Sequence, residues 1–296
     1  MYAPFGSIIT AMVTPFDNEG KLAEDLVEGL VNHLVESGTD TVLVNGTTGE
    51  SPTLTEEEVL QLIRCVRKHL PKGVKLMVGT GTNSTAKSVV MTKRFAAEGV
   101  DAFLLASPYY NKPTQEGLEA HFRAVAEGVK PPILIYNIPG RSAVNVEPET
   151  FARLAEVKNI VGVKEASGSV DQAARIRAMT PEEGFAVYSG DDALTLPMLS
   201  VGAVGVVSVA SHLAGKRLKK MIESFFKGDV EEAGSIHLSL LPLFQALFCR
   251  PNPIPVKYAL NRVGRPVGGH RLPLTPLDEA GREIVDSALK QVGLMS

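Results

Sequence analysis

Tryptophan is absent from this chain of 296 residues, and cysteine occurs only twice. Cys65 and Cys249 lie far apart on segments of helical pattern. They read as small core residues of a reducing compartment, with neither a disulfide framework nor metal-ligand spacing. The six histidines (33, 69, 121, 212, 237 and 270) also lack metal-binding spacing. Asp191-Asp192 could approach a divalent ion, but two adjacent acids point different ways, so the expectation is neither metal nor cofactor. The basic residues are dispersed and the net charge is −3, which leaves no footprint for nucleic acid or an anionic membrane. Gly79-Thr80-Gly81 does not complete a dinucleotide fingerprint, and no Gly-Lys-Ser/Thr phosphate loop occurs. No apolar run reaches transmembrane length, and the amino terminus lacks a basic segment followed by an apolar one. A cytoplasmic protein is expected.

What is present is a regular alternation. Short apolar runs at 7–14, 41–45, 75–79, 102–106, 133–137, 160–164, 186–189 and 205–209 read as strands buried on both faces. Between them, helical periodicity marks 22–37, 55–69, 85–98, 116–128, 148–156, 170–179, 193–200 and 213–226. Thr55-Glu56-Glu57-Glu58 is a helix start, with a capping threonine and acids that suit the positive helix terminus. Eight βα units predict a parallel (β/α)8 barrel rather than an open sheet. Three further helical segments, 230–248, 255–263 and 276–291, follow without strands. The expected organisation is a catalytic barrel over 1–228 and a helical extension of the same domain over 229–296.

Lys164 closes the run Ile160-Val161-Gly162-Val163. An ammonium at the carboxyl end of a buried strand faces either a dry core or a pocket, and burial lowers its pKa and frees a nucleophilic amine. The simpler alternative is a lysine that caps the strand and pairs with Glu165 or another acid. Other polar residues gather after the strand ends, where barrel enzymes keep their chemistry: Thr47, Thr48, Tyr109, Tyr110, Tyr136 and Arg141. A neutral lysine converts a ketone into an imine, and proton transfer next to it needs relays, for which Tyr136, Tyr110 and Thr47 are candidates. Packing with hydroxyls bonded to backbone is the plainer role for the tyrosines. The hydroxyls and backbone N–H groups of the loop Gly46-Thr47-Thr48-Gly49 could hold a keto acid's carboxylate, since it leads into a helix amino terminus, although a plain glycine turn would look the same. Arg141 offers a planar fork for a second carboxylate, or is a solvated surface arginine.

Four motifs in order, Gly46-Thr47-Thr48-Gly49-Glu50-Ser51, Tyr109-Tyr110-Asn111-Lys112-Pro113, Tyr136-Asn137-Ile138-Pro139-Gly140-Arg141 and Gly162-Val163-Lys164-Glu165, carry a resemblance. The likeness runs from Thr14-Pro15-Phe16 to Asn252-Pro253-Ile254-Pro255-Val256-Lys257 in the tail. The chain resembles the dihydrodipicolinate synthase family, in the pyruvate-dependent class I aldolase superfamily that includes N-acetylneuraminate lyase. The resemblance implies condensation of pyruvate with L-aspartate 4-semialdehyde, in lysine and diaminopimelate biosynthesis. It implies that Lys164 forms the imine and that Tyr136 passes protons in a relay with Thr47 and Tyr110. Thr48 would hold the pyruvate carboxylate, Gly190 and Val207 would line the pocket through backbone carbonyls, and Arg141 would bind the semialdehyde's carboxylate. In this family Tyr110 reaches into a neighbouring subunit's site, which implies at least a dimer, and the long helical tail offers surface on which dimers could pair.

Arg141 and the Gly-Thr-Thr-Gly-Glu pattern favour the synthase over the lyases, which typically carry Gly-Ser-Thr-Gly-Glu. Many synthases are inhibited by lysine between subunits. Of the corresponding positions, Ser51, Asn83 and Tyr109 match that type, whereas Glu56, Val59 and Lys87 depart from it. Val59 offers no hydrogen bond and Lys87 would repel an ammonium, so weak or absent lysine feedback is expected. Two alternatives stand beside the synthase: another imine-forming pyruvate lyase, and a non-catalytic barrel that binds a keto acid.

Overall fold

The structure, a computed structural model, describes residues 2–181 and 183–295. Eight strands form one closed, parallel barrel in chain order. The elements are β1 (Ile8–Ala11), α1 (Glu24–Glu36), β2 (Thr41–Val44), α2 (Glu56–His69), β3 (Lys75–Gly79), α3 (Thr85–Ala96), β4 (Ala102–Ala106), α4 (Gln115–Glu127), β5 (Ile133–Asn137), α5 (Pro139–Ser142), α6 (Pro148–Leu154), β6 (Ile160–Glu165), α7 (Val170–Met179), β7 (Ala186–Ser189), α8 (Thr195–Leu199), β8 (Gly205–Ser208) and α9 (Ser211–Phe226). Then come α10 (Val230–Ala246), α11 (Ile254–Arg262) and α12 (Glu279–Gln291). Apart from Lys75 and Ala106, every strand residue is buried, the signature of a parallel sheet covered on both faces. The (β/α)8 fold expected from the alternation is the one observed.

Helix starts follow local chemistry. Thr55 caps α2 in a reciprocal capping box with Glu58. Ser84, Thr114, Ser169, Asp229 and Asp278 cap α3, α4, α7, α10 and α12 through their side-chain oxygens. The sequence differs from the structure mostly at element ends. Helix α1 starts at Glu24 rather than residue 22, because Leu22 forms an isolated antiparallel bridge with Phe16. Cys249 lies past the end of α10, outside any helix. Helix α5 has no counterpart in the predicted elements: Pro139-Gly140 reads as a loop, yet a proline at the first helical position starts this single turn.

The chain divides into two compact units. One comprises residues 2–7 and 75–207; its core is built around Phe95, Phe103, Phe122, Phe151, Phe185 and Tyr188. The other comprises residues 8–74 and 208–295 and buries Ile8, Ile9, Met12, Phe16, Leu218 and Met221. In this second unit α10 packs on α9, and α12 packs on α10 and α11.

Candidate active site

Strands β5 and β6 pair so that Tyr136 stands abreast of Lys164, and Asn137 abreast of Glu165. Side chains alternate across a strand, so these two pairs leave the sheet on opposite faces. On one face, the Nζ of Lys164 sits 4.0 Å from the centre of the Tyr136 ring. Lys164 is 7% exposed and Tyr136 6%. On the other face Glu165 accepts hydrogen bonds from Asn137 Nδ2 (2.9 Å), Gln172 Nε2 (3.0 Å) and the Ser167 backbone N–H (2.6 Å). Glu165 is therefore spent elsewhere and cannot be the partner of Lys164. Pairing with Glu165 fails on strand geometry, whereas another acid, Asp192, does act on the lysine's charge.

Burial is the main reason that the Lys164 ammonium titrates at about 7 instead of in the ordinary lysine range. The negative charge of Asp192 works against that fall, and the positive charge of Arg141 adds to it. Asp192 is itself buried. Asp191 accepts the Ala193 backbone N–H at 2.8 Å, so the two adjacent acids do different work. Gly190 flanks the lysine: a Cβ there would come within 3.2 Å of Lys164 Cε and 2.6 Å of Ala166 Cβ. Only a residue without a side chain lets Ala166 and the stem of the lysine pack this closely against the backbone. Val207 is buried in β8.

Arg141 is exposed on α5 and makes no ion pair among the described residues. The loop that carries it is closed at its base by Asn137, whose Oδ1 accepts the Val146 N–H at 3.0 Å and whose Nδ2 also reaches Asn145 Oδ1 at 2.9 Å. Asn145 and Gln172 then exchange hydrogen bonds at 2.8 and 3.1 Å. The face of β5 and β6 opposite Lys164 thus anchors the arginine loop. Of these amides only Asn137 stands in a sequence motif, where it carries no assigned role; Asn145 and Gln172 are found by the structure alone.

In the second unit, residues 45–50 form the loop after β2. Thr47 is half-buried and Thr48 buried, with Thr48 Oγ1 accepting from Asn252 Nδ2 at 2.8 Å. The loop does not open α2, as the sequence suggested. A 3-10 turn (Ser51–Thr53) intervenes, and α2 starts with its own cap. The N–H groups of Gly49, Glu50 and Ser51 bond to the carbonyls of Gly46, Thr47 and Gly46. Those of Thr47 and Thr48 make no bond among the described residues. They remain as the donors that a carboxylate would use.

The remaining predicted positions are distributed as follows. Tyr110 is 88% exposed and Tyr109 44%, in a segment where Tyr110 and Lys112 have φ of 76° and 45°. Asn83 accepts through its carbonyl from Asn111 Nδ2 at 2.9 Å, and Lys87 is exposed on α3. Glu56 is exposed and Ser51 half-buried. Val59, 3% exposed, belongs to the apolar face of α2.

Residues 4–292 match the model of the dihydrodipicolinate synthetase family. The chain belongs to this family. A 4-hydroxy-tetrahydrodipicolinate synthase of Cyanothece sp. is 53% identical over 292 residues, 98% of this chain and 99% of that one. A dihydrodipicolinate synthase of Cyanidioschyzon merolae, solved with lysine bound, superposes with a TM-score of 0.96 at 47% identity, covering 98% of this chain and 99% of the other. A monomeric dihydrodipicolinate synthase variant also superposes with a TM-score of 0.96, at 42% identity and 98% coverage of both.

Proposed function

We propose that this chain is a 4-hydroxy-tetrahydrodipicolinate synthase, a lyase that joins pyruvate to L-aspartate 4-semialdehyde through an imine on Lys164. The observation that carries this reading is a buried amine, titrating at about 7, lying over the ring of Tyr136. The neutral amine adds to the carbonyl carbon of pyruvate and the carbonyl oxygen leaves as water. Loss of a methyl proton from the imine gives an enamine, whose carbon bonds to the aldehyde carbon of the semialdehyde. The semialdehyde's own amine then displaces Lys164 as the ring closes.

Tyr136 carries protons in these steps, with Thr47 and Tyr110 as its relay partners. Thr48, with the free N–H groups of its loop, receives the pyruvate carboxylate. Gly190 and Val207 line the pocket, and Arg141 receives the carboxylate of the semialdehyde in a bidentate pair. Among the described residues no carboxylate pairs with Arg141, which supports that role. Supplying both substrates and a coupled reductase that consumes NADPH tests the assignment. Product formed by the parent protein and lost in Lys164→Ala is the expected result. Borohydride trapping of pyruvate on Lys164 without product would move the reaction to another pyruvate lyase.

Lysine feedback is proposed to be weak or absent. Val59 is committed to the core of α2 and gives no hydrogen bond, and Lys87 presents a positive charge where an ammonium effector would have to bind. Titrating L-lysine into the coupled assay checks this; half-inhibition in the sub-millimolar range would overturn it.

A further inference from the structure

The loop of Thr47 and Thr48 is held far more firmly than a turn requires. Glu50 is a non-glycine residue with φ of 57°, a conformation that costs on the order of 1 kcal/mol and persists only where the surroundings impose it. Its carboxylate accepts from Lys257 Nζ at 2.8 Å and from the Arg271 backbone N–H at 3.1 Å. The side chains of Lys257 and Glu50 are both 0% exposed. Lys257 Nζ also donates to the Gly269 carbonyl and lies 4.4 Å from the centre of the Phe16 ring. A buried ion pair of this kind contributes little net stability, because desolvation offsets the attraction. Its value lies in fixing geometry, and the geometry it fixes is two residues from Thr48.

From the turn before α11, Asn252 reaches the same loop. It is 7% exposed, and its Nδ2 donates to Thr48 Oγ1. A hydroxyl has one proton to give. With its oxygen already accepting from the amide, Thr48 has its O–H directed away from Asn252, free for an acceptor.

We infer that Asn252 is a positioning residue for the keto acid: it sets the Thr48 hydroxyl as a donor to the substrate carboxylate, on a loop locked by the Lys257–Glu50 pair. This rests on the imine reading given above and deepens it. Asn252 makes no contact with the reacting atoms in this role, so it should alter how much pyruvate is needed and not how completely Lys164 is captured.

The test is the pyruvate concentration that half-saturates borohydride trapping on Lys164, with thermal unfolding followed in parallel. Parent, N252A, N252D, T48V and N252A/T48V are compared. Loss of one hydrogen bond predicts a rise of about fivefold in N252A, with full trapping at saturation. The isosteric N252D replaces the donor with an anion that accepts the Thr48 proton and repels the substrate, so its rise should be larger, roughly tenfold or more. It carries the test if N252A fails to fold. In the T48V background N252A should add nothing, since the hydroxyl through which it acts is gone. An unchanged half-saturation in N252A and N252D, or an N252A effect that persists in full without the Thr48 hydroxyl, would overturn the inference while leaving the imine intact. Absence of trapping in the parent would instead remove the imine reading.

Discussion

Lys164 shows how one residue's surroundings set its chemistry. Burial makes the ammonium costly, Asp192 favours it and Arg141 opposes it, and the balance lies at about 7. Above that pH the amine is mostly neutral, and below it the nucleophilic fraction falls about tenfold per pH unit. The initial rate of borohydride trapping should therefore be level on the alkaline side and fall through an acid limb near neutrality. Removing the positive charge in Arg141→Ala relieves repulsion on the ammonium, raises the lysine's pKa and moves the limb to higher pH. Removing the negative charge in Asp192→Asn withdraws support from the ammonium and moves the limb to lower pH. A pH series of trapping rates on the three proteins decides this; limbs that coincide would mean that desolvation alone tunes the amine. Much of this residue was legible beforehand, because an apolar run ending in lysine already poses the burial question. Asp192 was not, since nothing in a sequence says which of two adjacent acids lies buried within electrostatic reach of a lysine on another strand.

At the scale of the element, sequence and structure agree where the local pattern has no rival. Strands β3, β4, β5 and β7 keep the bounds drawn from their apolar runs, and the Thr55 capping box forms as its spacing requires. Disagreement arises where pairing with a neighbour decides. Strand β6 extends one residue past Lys164 because Glu165 stands in register with Asn137 and Ser189. That extra residue puts the acid on the face away from the amine and turns an apparent ion pair into two unrelated sites. Gly162 in the same strand has an equally non-local cause. A Cβ there would lie 2.2 Å from the carbonyl oxygen of Ala186 on β7, so only glycine lets the two strands close up. The role of Asn252 was hidden for the same reason: it stands 204 residues from Thr48, and only the folded chain brings an amide to that hydroxyl.

At the scale of the whole molecule, Tyr109 and Tyr110 pose the remaining question. Two adjacent tyrosines stand 44% and 88% exposed, and Tyr110 and Lys112 hold positive φ, at a cost on the order of 1 kcal/mol each. A solvent loop has no need of such strain, nor of so much bare aromatic surface. Burial of both rings under a second copy would offset that cost, and it would place the Tyr110 hydroxyl where a relay could use it. We therefore propose an assembly of at least two copies, with pairing of such dimers as a further step. Sedimentation velocity at micromolar concentration should show a dimer or larger species. The monomeric relative shows that this family's fold survives without assembly, so activity and association must be read separately. Tyr110→Phe, which keeps the ring and removes the proton carrier, should leave the sedimenting species unchanged and lower kcat at least tenfold. Tyr110→Ala should weaken the association as well. A parent protein that sediments as a monomer with full activity would exclude a shared relay, and Tyr136 would then have to exchange its protons with groups of its own chain.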